Sequence, residues 1–192
     1  MARLRYRLLA PGLMLGLTLG SGAGALAAPA TVAGWTVAPA EDGAGCFVTR
    51  TFDRSGDTTV LLGLDRGGTN RLSVLNANWS IRARERVKLT FRLSKAAYPR
   101  HAAIGIAADG KQGFVTTFGK DFPAQFAATR TLDIARGDVP VERLALDGSG
   151  AAVAALRRCV AALGSGRGAE RPRDGAIPRD PFAVPAGRES RR

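Results

Sequence analysis

Histidine occurs once in the 192 residues and cysteine twice. One imidazole, His101, and two widely separated thiols, Cys46 and Cys159, do not make a metal-ligand set, so no metal is expected. Aromatic residues are scarce at 6%. Few of them lie near the basic segment described below, which argues against single-stranded nucleic acid stacked on rings. The glycine pair in Asp65-Arg66-Gly67-Gly68-Thr69 is not followed by the Gly-Lys-Ser/Thr ending of a phosphate-cradling loop. That stretch is not the Asp-Thr/Ser-Gly of aspartic proteases either. Ser149, in Asp147-Gly148-Ser149-Gly150, lacks the glycines two before and two after that a nucleophile elbow requires, and reads instead as a helix cap. Most aspartates sit beside glycine or in turn-like contexts, where their side chains bond nearby backbone amides. No cofactor is called for, and nothing here demands an enzyme.

The chain does carry a leader. Arg3, Arg5 and Arg7 precede an apolar stretch from Leu8 to Leu19, followed by small residues ending in Ala25-Leu26-Ala27. This is the anatomy of a secretory signal peptide, with cleavage expected after Ala27 or Ala28, and Ala30 as the alternative. Pro11 and the glycines at 12, 16, 20, 22 and 24 dilute the segment below the run of about 20 mostly apolar residues that a membrane anchor needs. A periplasmic or secreted location follows. Export makes a disulfide between Cys46 and Cys159 the expected state of the two thiols. The closed loop of over 100 residues corresponds to about 4 to 5 kcal/mol in chain-entropy terms.

The expected organisation is a signal peptide at 1–27, a flexible start at 28–34, a single β-rich domain at 35–163 and a disordered basic tail at 164–192. The tail is rich in Gly, Pro and Arg and buries too little apolar surface to offset its ordering entropy. Short β-branched or alternating runs predict strands over 46–49, 58–64, 72–81, 87–93, 102–106, 113–117, 132–134 and 139–146. Asp109-Gly110 predicts a hairpin turn. A short helix is expected after Asp121, with Phe122 and Phe126 meeting at i and i+4. A longer helix starts at Ser149, places Ala152, Leu156, Cys159 and Leu163 on one face, and ends near Gly164. The fold class is mainly β with an α+β character: an antiparallel β-sandwich or partly open barrel with a C-terminal helix packed on it.

Trp35 near the mature start, Cys46 eleven residues on, and the strand-to-helix step Leu144-Ala145-Leu146-Asp147-Gly148-Ser149-Gly150-Ala151 resemble small alphaproteobacterial envelope proteins, including the invasion-associated locus B family. Leu146, Gly148 and Ala152 stand at the positions of that family's Leu-x-Gly-x-x-x-Ala-like step. The chain departs from it in lacking further cysteines. The resemblance implies a periplasmic β-rich protein and carries over no functional residue.

The net charge is +12. Three leader arginines and a tail with seven arginines against four acids account for half of it, leaving +6 for residues 28–163. In Ile81–Leu93, strand alternation would place Arg82, Arg84, Arg86, Lys88 and Arg92 on one face as a cationic, anion-binding stripe. The alternative is a solvated turn over 82–86 between two strands. Candidate partners are an envelope protein, an anionic envelope polymer or lipid headgroups; nucleic acid fits the compartment poorly. The functional expectation is an exported binding or envelope accessory protein. The other classes are a hydrolase, for which Ser149 and His101 are the only side-chain pairing on offer, and an inhibitor or effector acting through an exposed loop. Mass spectrometry of the exported protein is expected to find an N-terminus near residue 28; a mature chain retaining Met1 to Ala27 would contradict export by cleavage.

Overall fold

The computed structural model describes residues 29–165; the leader at 1–27 and nearly all of the tail at 164–192 lie outside them. Ten strands form one sheet: β1 (Ala30–Val32), β2 (Trp35–Pro39), β3 (Gly45–Phe52), β4 (Thr58–Asp65), β5 (Asn70–Asn76), β6 (Arg86–Leu93), β7 (Ala96–Ala108), β8 (Lys111–Thr116), β9 (Thr131–Arg136) and β10 (Val139–Ala145). Their order is β1-β2-β3-β4-β5-β8-β7-β6-β9-β10 and every neighbouring pair is antiparallel. Two helices complete the fold, α1 (Phe122–Ala127) and α2 (Ser149–Ser165), and α2 packs on β2, β3 and α1. The expected antiparallel β architecture with a packed C-terminal helix is therefore present, as a single open sheet. Its last strand returns toward the β3–β4 turn, where Glu142 accepts hydrogen bonds from Thr58 Oγ1 at 2.6 Å and Arg54 at 3.1 Å.

Both sheet edges are blunted. β1 is three residues long, and β10 carries Pro140 at a register shift. Short edges and a proline leave little ladder for another chain to extend.

The inward face follows the alternation of each strand. Val87, Leu89, Phe91 and Leu93 of β6 are buried, as are Val60 and Leu62 of β4, Leu72 and Val74 of β5, and Leu132 and Ile134 of β9. The scarce aromatics are concentrated in this core. Trp35, fully buried, packs edge-on against Phe52 and Phe126 at 6.2 and 5.8 Å. Phe126 leads to Phe122 at 6.0 Å, Phe122 stacks on Phe118 at 3.8 Å, and Phe118 stacks on His101 at 4.4 Å. Phe118 also meets Phe91, which meets Phe114, which stacks on Trp79. Edge-on and offset contacts of this kind suit the ring quadrupoles and add to the area they bury.

α2 is seated at both ends. At its start, the carbonyl of Asp147 accepts from Trp35 Nε1 at 2.9 Å and from Arg50 at 3.0 Å. Gly148, at φ +80°, lies so close to Ala33 that a Cβ would stand 2.3 Å from the Ala33 carbonyl oxygen. Only glycine fits that backbone at that approach. Toward its end, Cys159 is joined to Cys46 of β3 across 113 residues of sequence. The expected inward residues Ala152, Leu156, Cys159 and Leu163 all face the sheet.

Five local expectations are corrected. The segment 28–34, expected to be flexible, contains β1. β5 ends at Asn76 and does not run on to Ile81, because the buried Asn76 side chain donates to Ser55 O and Thr58 Oγ1 and accepts from the Asn78 N–H, turning the chain away. β7 starts at Ala96, not at Ala102; Pro99 and the left-handed Arg100 are absorbed by a register shift opposite Leu89 and Phe91. Ser149 does not cap α2: its hydroxyl donates to Phe126 O at 3.2 Å, and the Gly148 carbonyl receives the first helical N–H, from Ala152. The helix also continues through Gly164 to Ser165.

Replacing both Cys46 and Cys159 with serine is expected to lower unfolding free energy by up to about 4 to 5 kcal/mol, measured by denaturant titration. Unchanged stability, or two freely alkylated thiols in the native oxidised protein, would contradict the crosslink.

Candidate functional site

The basic segment resolves into two parts. Arg82 to Glu85 form a turn: the Glu85 N–H donates to Arg82 O at 3.1 Å, Arg84 is left-handed, and the Glu85 carboxylate accepts from the Arg82 N–H. This turn is fixed to β7, since the Arg84 N–H donates to Gly105 O at 2.8 Å and the Gly105 N–H to Glu85 O at 2.7 Å. A Cβ on residue 105 would stand 1.9 Å from Arg82 O, so the approach requires glycine. Arg82 and Arg84 are exposed on this turn and are not strand residues. The stripe contracts to Arg86, Lys88 and Arg92, which alternate with the buried residues of β6 and share its outward face.

None of these three cations makes a hydrogen bond or ion pair with a described residue. Opposite them on β7 stand Ile104, Ala102 and Ala97, all uncharged. Asp133, opposite Arg92 on β9, is taken by Arg143.

The register shows what lies beside the cations. Residues directly opposite in neighbouring strands share a face. The row through Arg86 runs Arg86, Ile104, Val115, Ser73, Leu61 and Thr49 across β6, β7, β8, β5, β4 and β3. Ile104 is 49% exposed. Val115 and Leu61, together with Phe47 and Ile106, are half-buried in a shallow groove of about 390 Å³ on the outer face. Arg71 lies on its rim. The two carboxylates that line it are occupied by their own loops: Asp65 accepts from the Thr69 N–H at 2.7 Å and Asp42 from the Ala44 N–H at 2.9 Å. The Thr69 bond, above all, holds the Asp65 carboxyl below its ordinary pKa. The outer face thus combines an apolar strip, satisfied acids and unpaired cations.

Sequence reasoning missed Leu61, Ile104 and Val115. The available signal was the run Val60-Leu61-Leu62 in β4. A strand apolar at consecutive positions presents apolar side chains on both faces, unlike one with a single covered face.

Ser149 and His101 are not brought together. Ser149 is buried against α1 through Phe126 O, while His101 Nε2 is 2.8 Å from Thr117 O and its ring is sandwiched among Phe118, Phe91 and Tyr98. His101 is half-buried in the aromatic cluster. Each has a structural partner, and neither holds the other for hydrolysis. Asp57, Asp65 and Asp109 lie in or beside turns, Asp57 and Asp109 with left-handed backbones. Among the described residues there is no group of three metal-ligating side chains, and no helix is long and apolar enough to cross a membrane.

No family model matches the chain, and no curated protein matches it by sequence. Among solved structures, the fold is similar to that of invasion associated protein B from Bartonella henselae, with a TM-score of 0.50 and 14% identity over 69% of this chain and 99% of that one. At this identity the likeness is one of fold. It agrees with the resemblance carried by Trp35, Cys46 and the 144–152 step, whose residues are those that seat α2.

Ser149→Ala is expected to cost about 0.5 to 1.5 kcal/mol, because it removes one hydrogen bond to the Phe126 carbonyl, which still accepts from the Thr129 N–H at 3.4 Å. Thermal denaturation checks this; a variant as stable as the parent would show that the bond contributes nothing.

Proposed function

We propose that the chain is an exported binding protein of the cell envelope, and that the outer face of its sheet engages an anionic envelope component through Arg86, Lys88 and Arg92. One observation carries the reading: three outward cations without acidic partners border an apolar strip on one continuous sheet face. The leader and the crosslinked cysteines support an oxidising compartment outside the cytoplasm, periplasmic or secreted. Phosphate or carboxylate groups of a lipid headgroup or an acidic polymer would meet the cations, and their apolar portions the strip from Ile104 to Leu61. Arg82 and Arg84 sit beside this face and strengthen its local field without being fixed in it. The hydrolase reading loses its only pairing, since Ser149 and His101 have separate partners.

On an anionic lipid surface each basic residue contributes about 1 kcal/mol. Replacing Arg86, Lys88 and Arg92 together with glutamine is therefore expected to weaken binding to phosphatidylglycerol vesicles, or capture of an acidic polymer from envelope extract, by about a hundredfold. Added salt should weaken the parent more than the variant. Equal binding by parent and variant in both arms would dispose of this face as the site.

A further inference from the structure

β6 and β9 are paired only from Thr90 to Arg92, against Asp133–Ala135. Below that point β9 turns away at Arg136 into β10, and the Arg86–Leu89 half of β6 has no strand partner on that side. The sheet is split there, on a different side of β6 from the cationic row's β7 neighbours. The connection between β5 and β6 leads into the split, and it brings Trp79 into contact with the core: the indole stacks on Phe114 with ring centroids 6.0 Å apart and planes 7° from parallel. A cleft of about 310 Å³ remains, with Val87, Leu89 and Phe114 as its buried apolar lining, Val141 beside them, and Trp79 and Arg136 nearer solvent. This volume is at the small end for ligand sites, about 300 to 1,000 Å³.

The polar groups of the cleft set the charge of what it accepts. The Trp79 indole N–H has no hydrogen-bond partner, and neither does the exposed Arg136 guanidinium, among the described residues. Both groups donate only. No carboxylate lines the cleft. The acids close in sequence to lining residues are Glu85, whose carboxylate is bonded to the Arg82 N–H, Glu142, which accepts from Thr58 and Arg54, and Asp138, which is exposed on the β9–β10 turn. Asn78 at the rim donates to Ser55. Two unpaired donors, one of them a permanent cation, above an apolar and aromatic lining call for an acceptor-bearing anion on a flat apolar body.

We infer that this cleft is a binding site for small aromatic monoanions, with the ring system against Trp79 and Phe114 and the carboxylate or sulfonate at Arg136. The site is independent of the outer face proposed above, since none of Arg86, Lys88 and Arg92 lines it.

The two tryptophans provide the readout. In isotope-labelled exported protein the indole N–H signals come from Trp35, already bonded to Asp147, and from Trp79; Trp79→Phe assigns them. Titration with 2-naphthoate should shift the Trp79 signal saturably and leave Trp35 in place. The neutral 2-naphthamide should bind about fivefold or more weakly, as expected for loss of a charge-assisted hydrogen bond. Arg136→Gln, a change at an exposed position, should reduce naphthoate to the level of the amide without altering the amide. Neutralising Arg86, Lys88 and Arg92 should leave naphthoate binding unchanged, so failure of the outer-face proposal would not count against this one. A Trp79 signal that does not move at millimolar naphthoate, movement of both indoles together, equal affinity for acid and amide, or parental affinity in Arg136→Gln would each overturn the inference.

Discussion

The seating of α2 on β2 and β3 is the constraint on which the rest of the structure depends. An open sheet of ten strands has an inner face too large to leave in water, and α2 is the largest element covering the β1–β4 half of it. Its first turn is positioned by backbone geometry more than by a capping side chain: the Asp147 carbonyl gathers Trp35 and Arg50, and Gly148 lies against Ala33. Fully burying Val153 or Leu156 contributes about 1.5 to 3 kcal/mol each, so the apolar face of the helix rivals the disulfide in size. The crosslink acts where that packing thins out. Cys159, Val160 and Leu163 are only half-buried, and the bond from Cys159 to Cys46 holds those last turns on β3.

Concentration of the aromatics gives the other half of the sheet its order. A chain with 6% aromatic residues still forms a continuous series of ring contacts from Trp35, through the short helix α1 and His101, to Phe114 and Trp79. α1 is central to it: Pro123 and the i, i+4 pair Phe122 and Phe126 let six residues connect the α2 side of the core to the β6–β7 side. Tyr98 joins the same cluster, and its hydroxyl donates to Gln125 of α1; burial raises its pKa. The single histidine is used as a ring in this cluster.

Much of this architecture was legible from patterning. Alternation in Arg86–Leu93, the Asp109-Gly110 turn, the Phe122/Phe126 spacing and the inward face of α2 each reflect a local rule that tertiary structure left in force. The failures have local causes too. Pro99 disguised the first half of β7, because a proline inside a strand is tolerated only where the ladder breaks. Asn76 ended β5 through side-chain bonds to the β3–β4 turn, a contact between segments about 20 residues apart. The basic stripe was half legible: β6 alternates as expected, but Arg82 and Arg84 belong to a turn held by Gly105, more than twenty residues later. The outer apolar strip and the Trp79 cleft were illegible. Both depend on strand order and register, the strip on four strands in a row and the cleft on β6 and β9 pairing over only three residues.

The inner face holds the buried core, with the Trp79 cleft at its split, and the outer face is the surface proposed to meet an anionic partner. The tail at 164–192 also carries a net +3 and offers a rival route to an anionic surface, so the location of contact within the chain decides the matter. Hydrogen exchange of residues 28–192, with and without phosphatidylglycerol vesicles, measures it directly. Contact through the outer face slows exchange in β6 and β7 around Arg86, Lys88 and Ile104 and leaves α2 unchanged. Slowing confined to α2 and the residues after it, with β6 and β7 unaffected, would contradict it.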